Sequence, residues 1–166
     1  MRILFVCLGN ICRSPLLEAV ARARFARAGR DWHVASCGTG GWHAGEGADP
    51  RAVRIGQERG YALQAHRARQ LAAADYQRFD LLLAADADNL AELQRRAPRG
   101  SAARLDLALR RAGLAAPHEV PDPYYGGARD FARVVDLAEQ AADGLLRHLA
   151  SGHTAASERD EEGRRP

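Results

Sequence analysis

Cys7 and Arg13 stand six positions apart in the stretch Cys7-Leu8-Gly9-Asn10-Ile11-Cys12-Arg13-Ser14-Pro15, and their types suit nucleophilic chemistry on an anion. A thiolate is a strong nucleophile, and a guanidinium presents a planar fork that matches two oxygens of a phosphate. Gly9 and Asn10 tolerate left-handed backbone, so successive N–H groups between the two can turn inward as an anion nest. The spacing alone says little. Arginine fills 24 of 166 positions, so any cysteine has a roughly one-in-seven chance of an arginine six residues on. Local context is what separates Cys7 from Cys12 and Cys37, which have Glu18 and His43 at the same offset.

That context is a strand before the loop and a helix after it. Arg2 to Val6 is short and almost wholly apolar, as a buried strand is, and the Gly-Asn pair ends it. Ser14 suits an N-cap and Pro15 the first helical position; Leu17, Val20, Ala21, Phe25 and Ala28 then share one stripe up to Gly29. In an open parallel sheet, ligands gather outside the carboxyl ends of strands, beside helix N-termini, where the helix dipole and free N–H groups favour a thiolate. Further along, the pattern predicts a strand around His33 to Ser36, a loop at Gly38-Thr39-Gly40-Gly41 and a helix over Pro50 to Arg59. It continues with a strand over Phe79 to Ala84, a helix from about Asp88 to Arg96, a weakly marked strand over Ala103 to Leu107 and a helix over Ala128 to Leu149. Strands alternating with helices, with apolar runs in place of strict alternation, predict an α/β fold. The expected form is a single-domain three-layer sandwich, a four-stranded parallel sheet with helices on both faces, over residues 1–150. Residues 151–166 contain no large apolar side chain and are expected to form a disordered polar tail.

Composition excludes several classes. The chain has no lysine, which removes both a Walker A phosphate loop and a Schiff-base cofactor lysine. A net charge of +3 and 6% aromatics argue against a nucleic-acid stripe or a stacking platform. The N-terminal apolar run is too short for a secretory core, and no segment reaches the length of a membrane span. Three cysteines, an odd number without an export signal, predict reduced thiols and a cytoplasmic protein.

At these residues the chain resembles the low-molecular-weight protein tyrosine phosphatases. Val6-Cys7-Leu8-Gly9-Asn10-Ile11-Cys12-Arg13-Ser14-Pro15 matches that family's phosphate loop throughout. Counterparts continue around Ser36 and Gly38-Thr39, through Gly45 to Asp49-Pro50, His66-Arg67-Ala68-Arg69-Gln70, Phe79-Asp80, Asp86 to Asn89 and Asp122-Pro123-Tyr124-Tyr125-Gly126-Gly127. About residues 2–148 are covered. The resemblance implies hydrolysis of phosphotyrosine through a cysteinyl-phosphate intermediate, with no metal or other cofactor. It makes Cys7 the nucleophile and seats the phosphate on Arg13 and the backbone of Leu8, Gly9, Asn10, Ile11 and Cys12. Asp122 becomes the general acid and then the base for water. Ser14, which alone reads as an N-cap, is implied to donate a hydrogen bond to the thiolate and can do both. Asn10, Ser36 and His66 are implied to fix the loop. The implied partners are phosphotyrosine proteins, a bacterial tyrosine kinase among them, with no nucleic acid and no membrane; the expected state is a monomer or weak homodimer.

Tyr124, Tyr125 and Trp42 are candidate walls for an aromatic ring, and a deep slot would hold short phosphoserine away from the thiolate. Trp42 serves equally well as a loop anchor. Cys12 is open to two readings, a resolving thiol for Cys7, as the family suggests, or small apolar packing. Cys37 reads as packing. Two departures from the family pattern, Ala85 for a common methionine and Leu16-Leu17 for a common Met-Ala pair, leave the catalytic set intact. Related chemistries fit less well: arsenate reductases of this architecture need further cysteines in mid-chain, and Leu81 to Asn89 holds none. An arginine-phosphatase subgroup carries threonine where this chain has Ile11. A phosphate carrier has no need of Asp122, and a non-catalytic phosphotyrosine-binding module would destroy its ligand with these residues.

Overall fold

The computed structural model describes the backbone of residues 1–162 and the side chains through Ser151. Four parallel strands, β1 (Arg2–Cys7), β2 (His33–Gly38), β3 (Leu81–Ala84) and β4 (Arg104–Leu107), form one sheet in the order β2-β1-β3-β4. β1 is therefore a central strand, paired Val6 to Cys37 on one side and Val6 to Ala84 on the other. The helices are α1 (Arg13–Arg27), α2 (Pro50–Glu58), α3 (Asp75–Arg78), α4 (Ala87–Arg96), α5 (Ala108–Arg111) and α6 (Ala128–Glu162).

The two-residue period of a strand sorts the core into two layers. Ile3, Phe5 and Cys7 with Leu81 and Leu83 face Leu16, Val20 and Phe25 of α1 and Phe131, Val135 and Leu145 of α6. Leu4, Val6, Leu82 and Ala84 face the other way, against Tyr76, Phe79, Leu90 and Leu93. The three-layer expectation holds, and because odd-numbered positions of β1 point at α1, Cys7 ends its strand directly over the start of that helix.

Several boundaries differ from expectation for local reasons. α1 begins at Arg13, and Cys12, not Ser14, occupies the cap position without a side-chain cap bond. Ser14 is thus inside the first turn, and its hydroxyl is free for other work. β2 runs on to Gly38 because Cys37 and Gly38 pair with the end of β1. The helices α3 and α5 were not expected; four residues are too few to show a helical period. α6 packs through Leu149 and its backbone continues to Glu162. The expected disordered tail over 151–166 otherwise lies outside the described residues.

Candidate active site

The carboxyl ends of β1 and β2 open into a cavity of about 290 Å³ lined by Cys7, Leu8, Gly9, Ile11, Cys12, Arg13, Trp42, His43, Asp122, Tyr124 and Tyr125. Nearly every residue expected to touch a ligand is brought together here. Asn10, Ser36 and His66 lie behind the loop instead. A larger cavity of about 500 Å³, at the opposite ends of the strands beside Arg2, Asp80 and Arg104, contains none of them.

Cys7 is buried at the cavity floor, with the Ser14 hydroxyl 2.9 Å from Sγ and the Asn10 N–H donating to Sγ at 3.3 Å. The loop around it needs one left-handed residue, and Asn10 supplies it at φ 57°. Asn10 is completely buried, and its amide is fully used. Nδ2 donates to Ser14 Oγ and to Ser36 Oγ, both at 2.9 Å, while Oδ1 accepts from the Arg69 N–H at 3.0 Å. His66 Nε2 lies 2.8 Å from the Asn10 carbonyl oxygen. Because Ser14 Oγ accepts from Asn10, its own proton is left for Sγ or for the Cys37 carbonyl at 3.3 Å. A thiolate accepts only, so ionised Cys7 takes the Ser14 proton. The Ser36 hydroxyl donates in turn to Glu18, whose carboxylate also pairs with Arg22.

Arg13 is held at the cavity wall by two contacts from Nη1, to Asp86 Oδ2 at 2.6 Å and to the Val120 carbonyl at 3.2 Å. Its side chain is 5% exposed. Burial works against its charge, but the bond to Asp86 and the proximity of Cys7 and Asp122 outweigh that and hold its pKa above the ordinary arginine value. A permanent, prealigned cation at that position suits an oxyanion. Asp122 reaches over the same space, Oδ2 3.8 Å from Arg13 Nη2, with half of its side chain exposed. Its loop is anchored at Val120, whose N–H donates to the Ala85 carbonyl, and at Tyr124, whose carbonyl accepts from Arg51 Nη1 at 2.9 Å. Burial first, then the Asp49 carboxylate, pushes the Cys12 thiol up to about 12. Burial likewise raises Cys37, which sits in the sheet's second core layer.

A model of the low molecular weight phosphotyrosine protein phosphatases matches residues 2–155. The chain belongs to that family. It is 46% identical over 150 residues to a low molecular weight protein-tyrosine-phosphatase of Streptomyces coelicolor, covering 87% of this chain and 91% of that one. A Schizosaccharomyces pombe low molecular weight phosphotyrosine protein phosphatase is 42% identical over 79% of this chain and 85% of its own. The solved structure of a protein tyrosine phosphatase from Entamoeba histolytica superposes with a TM-score of 0.87 at 37% identity, over 92% of this chain and 99% of that one.

Within this phosphatase fold, several residues lacked a sequence-based role. Asp86 orients Arg13, and a signal existed: an aspartate two residues past the end of β3, at the same end of the sheet as Cys7, capping α4 through the Asn89 N–H at 2.8 Å. Glu18 lies one helical turn after Ser14, so it can reach the network behind the loop. Arg51 follows the α2 cap Asp49 and clamps the loop that carries Asp122, its guanidinium 5.6 Å from the Tyr124 ring centroid. His43 lines the cavity and faces Gly9; no local pattern marked it.

Proposed function

We propose that this protein hydrolyses aryl phosphate monoesters, phosphotyrosine in proteins above all, in two steps at Cys7. In the first, the Cys7 thiolate attacks phosphorus in line; the S–P bond forms, the P–O bond to the ring breaks, and Asp122 gives its proton to the leaving phenolate. In the second, Asp122 takes a proton from water as its oxygen attacks phosphorus, and the S–P bond breaks to release phosphate and thiolate. The loop N–H groups and the Arg13 guanidinium hold the three equatorial oxygens throughout. Ser14 and the Asn10 N–H stabilise the sulfur charge both before attack and on departure.

One observation supports this reading most: a nucleophilic sulfur and a prealigned arginine from one loop, and a carboxylic acid more than a hundred residues further on, converge on a single cavity. The aryl preference rests on depth, with Cys7 buried while Tyr124, Tyr125 and Trp42 stand exposed at the rim. Steady-state rates on matched phosphotyrosine and phosphoserine peptides test it. The expected result is turnover of the first and at least a hundred-fold lower kcat/KM for the second, about 3 kcal/mol of discrimination; equal rates would remove the slot from the account. The proposal extends to a monomer or weak homodimer meeting tyrosine-phosphorylated proteins in the cytoplasm, a bacterial tyrosine kinase among them. Among the described residues no helix is long and apolar enough to cross a membrane.

A further inference from the structure

A second cavity, of about 520 Å³, shares Leu8 and Trp42 with the catalytic one and extends over the start of α4, where Gln70, Asp88, Asn89 and Glu92 line it. The Trp42 indole is 72% exposed yet fixed: a Cβ on Gly40 would fall 1.7 Å from one of its ring carbons, so the ring lies against bare glycine backbone. Its free surface forms the partition between the two cavities.

Apart from Arg96, the charged side chains that line the side cavity are the carboxylates of Asp88 and Glu92. Gln70 spends its amide N–H on the Thr39 carbonyl at 3.1 Å, leaving Oε1 without a partner. Asn89 is 4% exposed, and its Oδ1 is the one buried side-chain polar atom without a hydrogen-bond partner among the described residues. Asp88 carries no ion pair. The cation at this rim, Arg96, is already committed to Glu92 and to the Thr39 carbonyl. A chain with 24 arginines thus leaves a pocket with an uncommitted amide oxygen at Gln70, an unpaired carboxylate at Asp88 and an exposed indole beside its catalytic cavity.

We infer that this side cavity is a specificity subsite for a basic side chain, arginine or lysine, carried next to the phosphotyrosine of a protein substrate. The inference rests on the phosphatase reading above and names the substrate class within it. A cation lying on Trp42 gains from the ring face, and its N–H groups meet the Asp88 carboxylate and Gln70 Oε1. The shared wall of Leu8 and Trp42 makes the occupant a flanking residue of the same substrate chain.

The test uses phosphotyrosine peptides with arginine or glutamate at each of the two positions before and after the phosphotyrosine, together with free phosphotyrosine. The wild type is expected to favour an arginine peptide over its glutamate partner by about five-fold or more in kcat/KM at low salt, less as salt rises. Asp88→Asn is expected to erase most of that preference while leaving free phosphotyrosine unchanged, and binding of the same peptides to Cys7→Ser should show the same pattern without turnover. Free phosphotyrosine turned over with no charge preference, or a preference that survives Asp88→Asn, overturns the subsite alone. No turnover of free phosphotyrosine overturns the phosphatase reading and the subsite with it.

Discussion

At the scale of single residues, the site separates one reactive thiol from two protected ones. Cys7 receives hydrogen bonds at sulfur, whereas burial and Asp49 push Cys12 up to about 12, and burial raises Cys37. At neutral pH, iodoacetamide is expected to label Cys7 and to spare the other two, which peptide mass mapping resolves; equal labelling of Cys12 would contradict the protected state. The same shift gives a stability prediction. A folded-state value raised above the ordinary 9.0 means that the native protein holds the Cys12 proton while the unfolded chain releases it. Stability therefore falls as pH rises from about 9 to about 12. Denaturant midpoints measured over that window should fall less steeply in Cys12→Ala. Cys7 and Arg13 were legible in the sequence because a glycine-containing loop joins an apolar run to a helix start. Asp86 and Glu18 were not assigned roles, because what makes them matter is a partner 73 residues away in one case and the Ser36 hydroxyl in the other.

Elements decide how firmly those residues are placed. Long stripes could be read directly: α1 and α6 each carry a sustained apolar face and pack against one another and the sheet. Their ends could not, since the start of α1 at Arg13 depends on the loop folding back through Asn10. α6 also approaches the end of α5 closely at Gly144, where an added Cβ would stand 2.1 Å from the Ala112 carbonyl oxygen. Alanine is the better helix former by about 1 kcal/mol, but displacing backbone in a packed core costs about 1–3 kcal/mol. Gly144→Ala is expected to lower the melting temperature by several degrees, while Gly127→Ala, whose Cβ would meet nothing within 4 Å, leaves it unchanged. A stabilised Gly144→Ala protein would show that α6 can slide away from α5 without cost.

For the whole molecule, the parallel sheet sets a direction. The proposed catalytic groups gather at the carboxyl ends of its strands, so a chain that wanders through more than a hundred residues between Cys7 and Asp122 still delivers both to one cavity. The alternation of strands and helices made this topology readable, because a buried parallel sheet requires apolar strands and covering helices. The limit of the catalytic unit is a proposal: among the described residues the last core side chain of α6 is Leu149, and residues 151–166 add no large apolar group to the sequence. A chain ending at Ser151 is expected to keep the wild-type kcat/KM and melting temperature, and a substantial loss of either would place part of the function beyond that point.

The account depends most on Cys7 as nucleophile and Asp122 as proton donor. The direct measurement is hydrolysis of para-nitrophenyl phosphate without added metal, from about pH 4 to 8, by the wild type, Cys7→Ser and Asp122→Asn. The account predicts turnover by the wild type, none by Cys7→Ser, and a lower kcat with one limb of the pH profile missing for Asp122→Asn. An inactive reduced wild type, or a Cys7→Ser protein that still turns over, would contradict it.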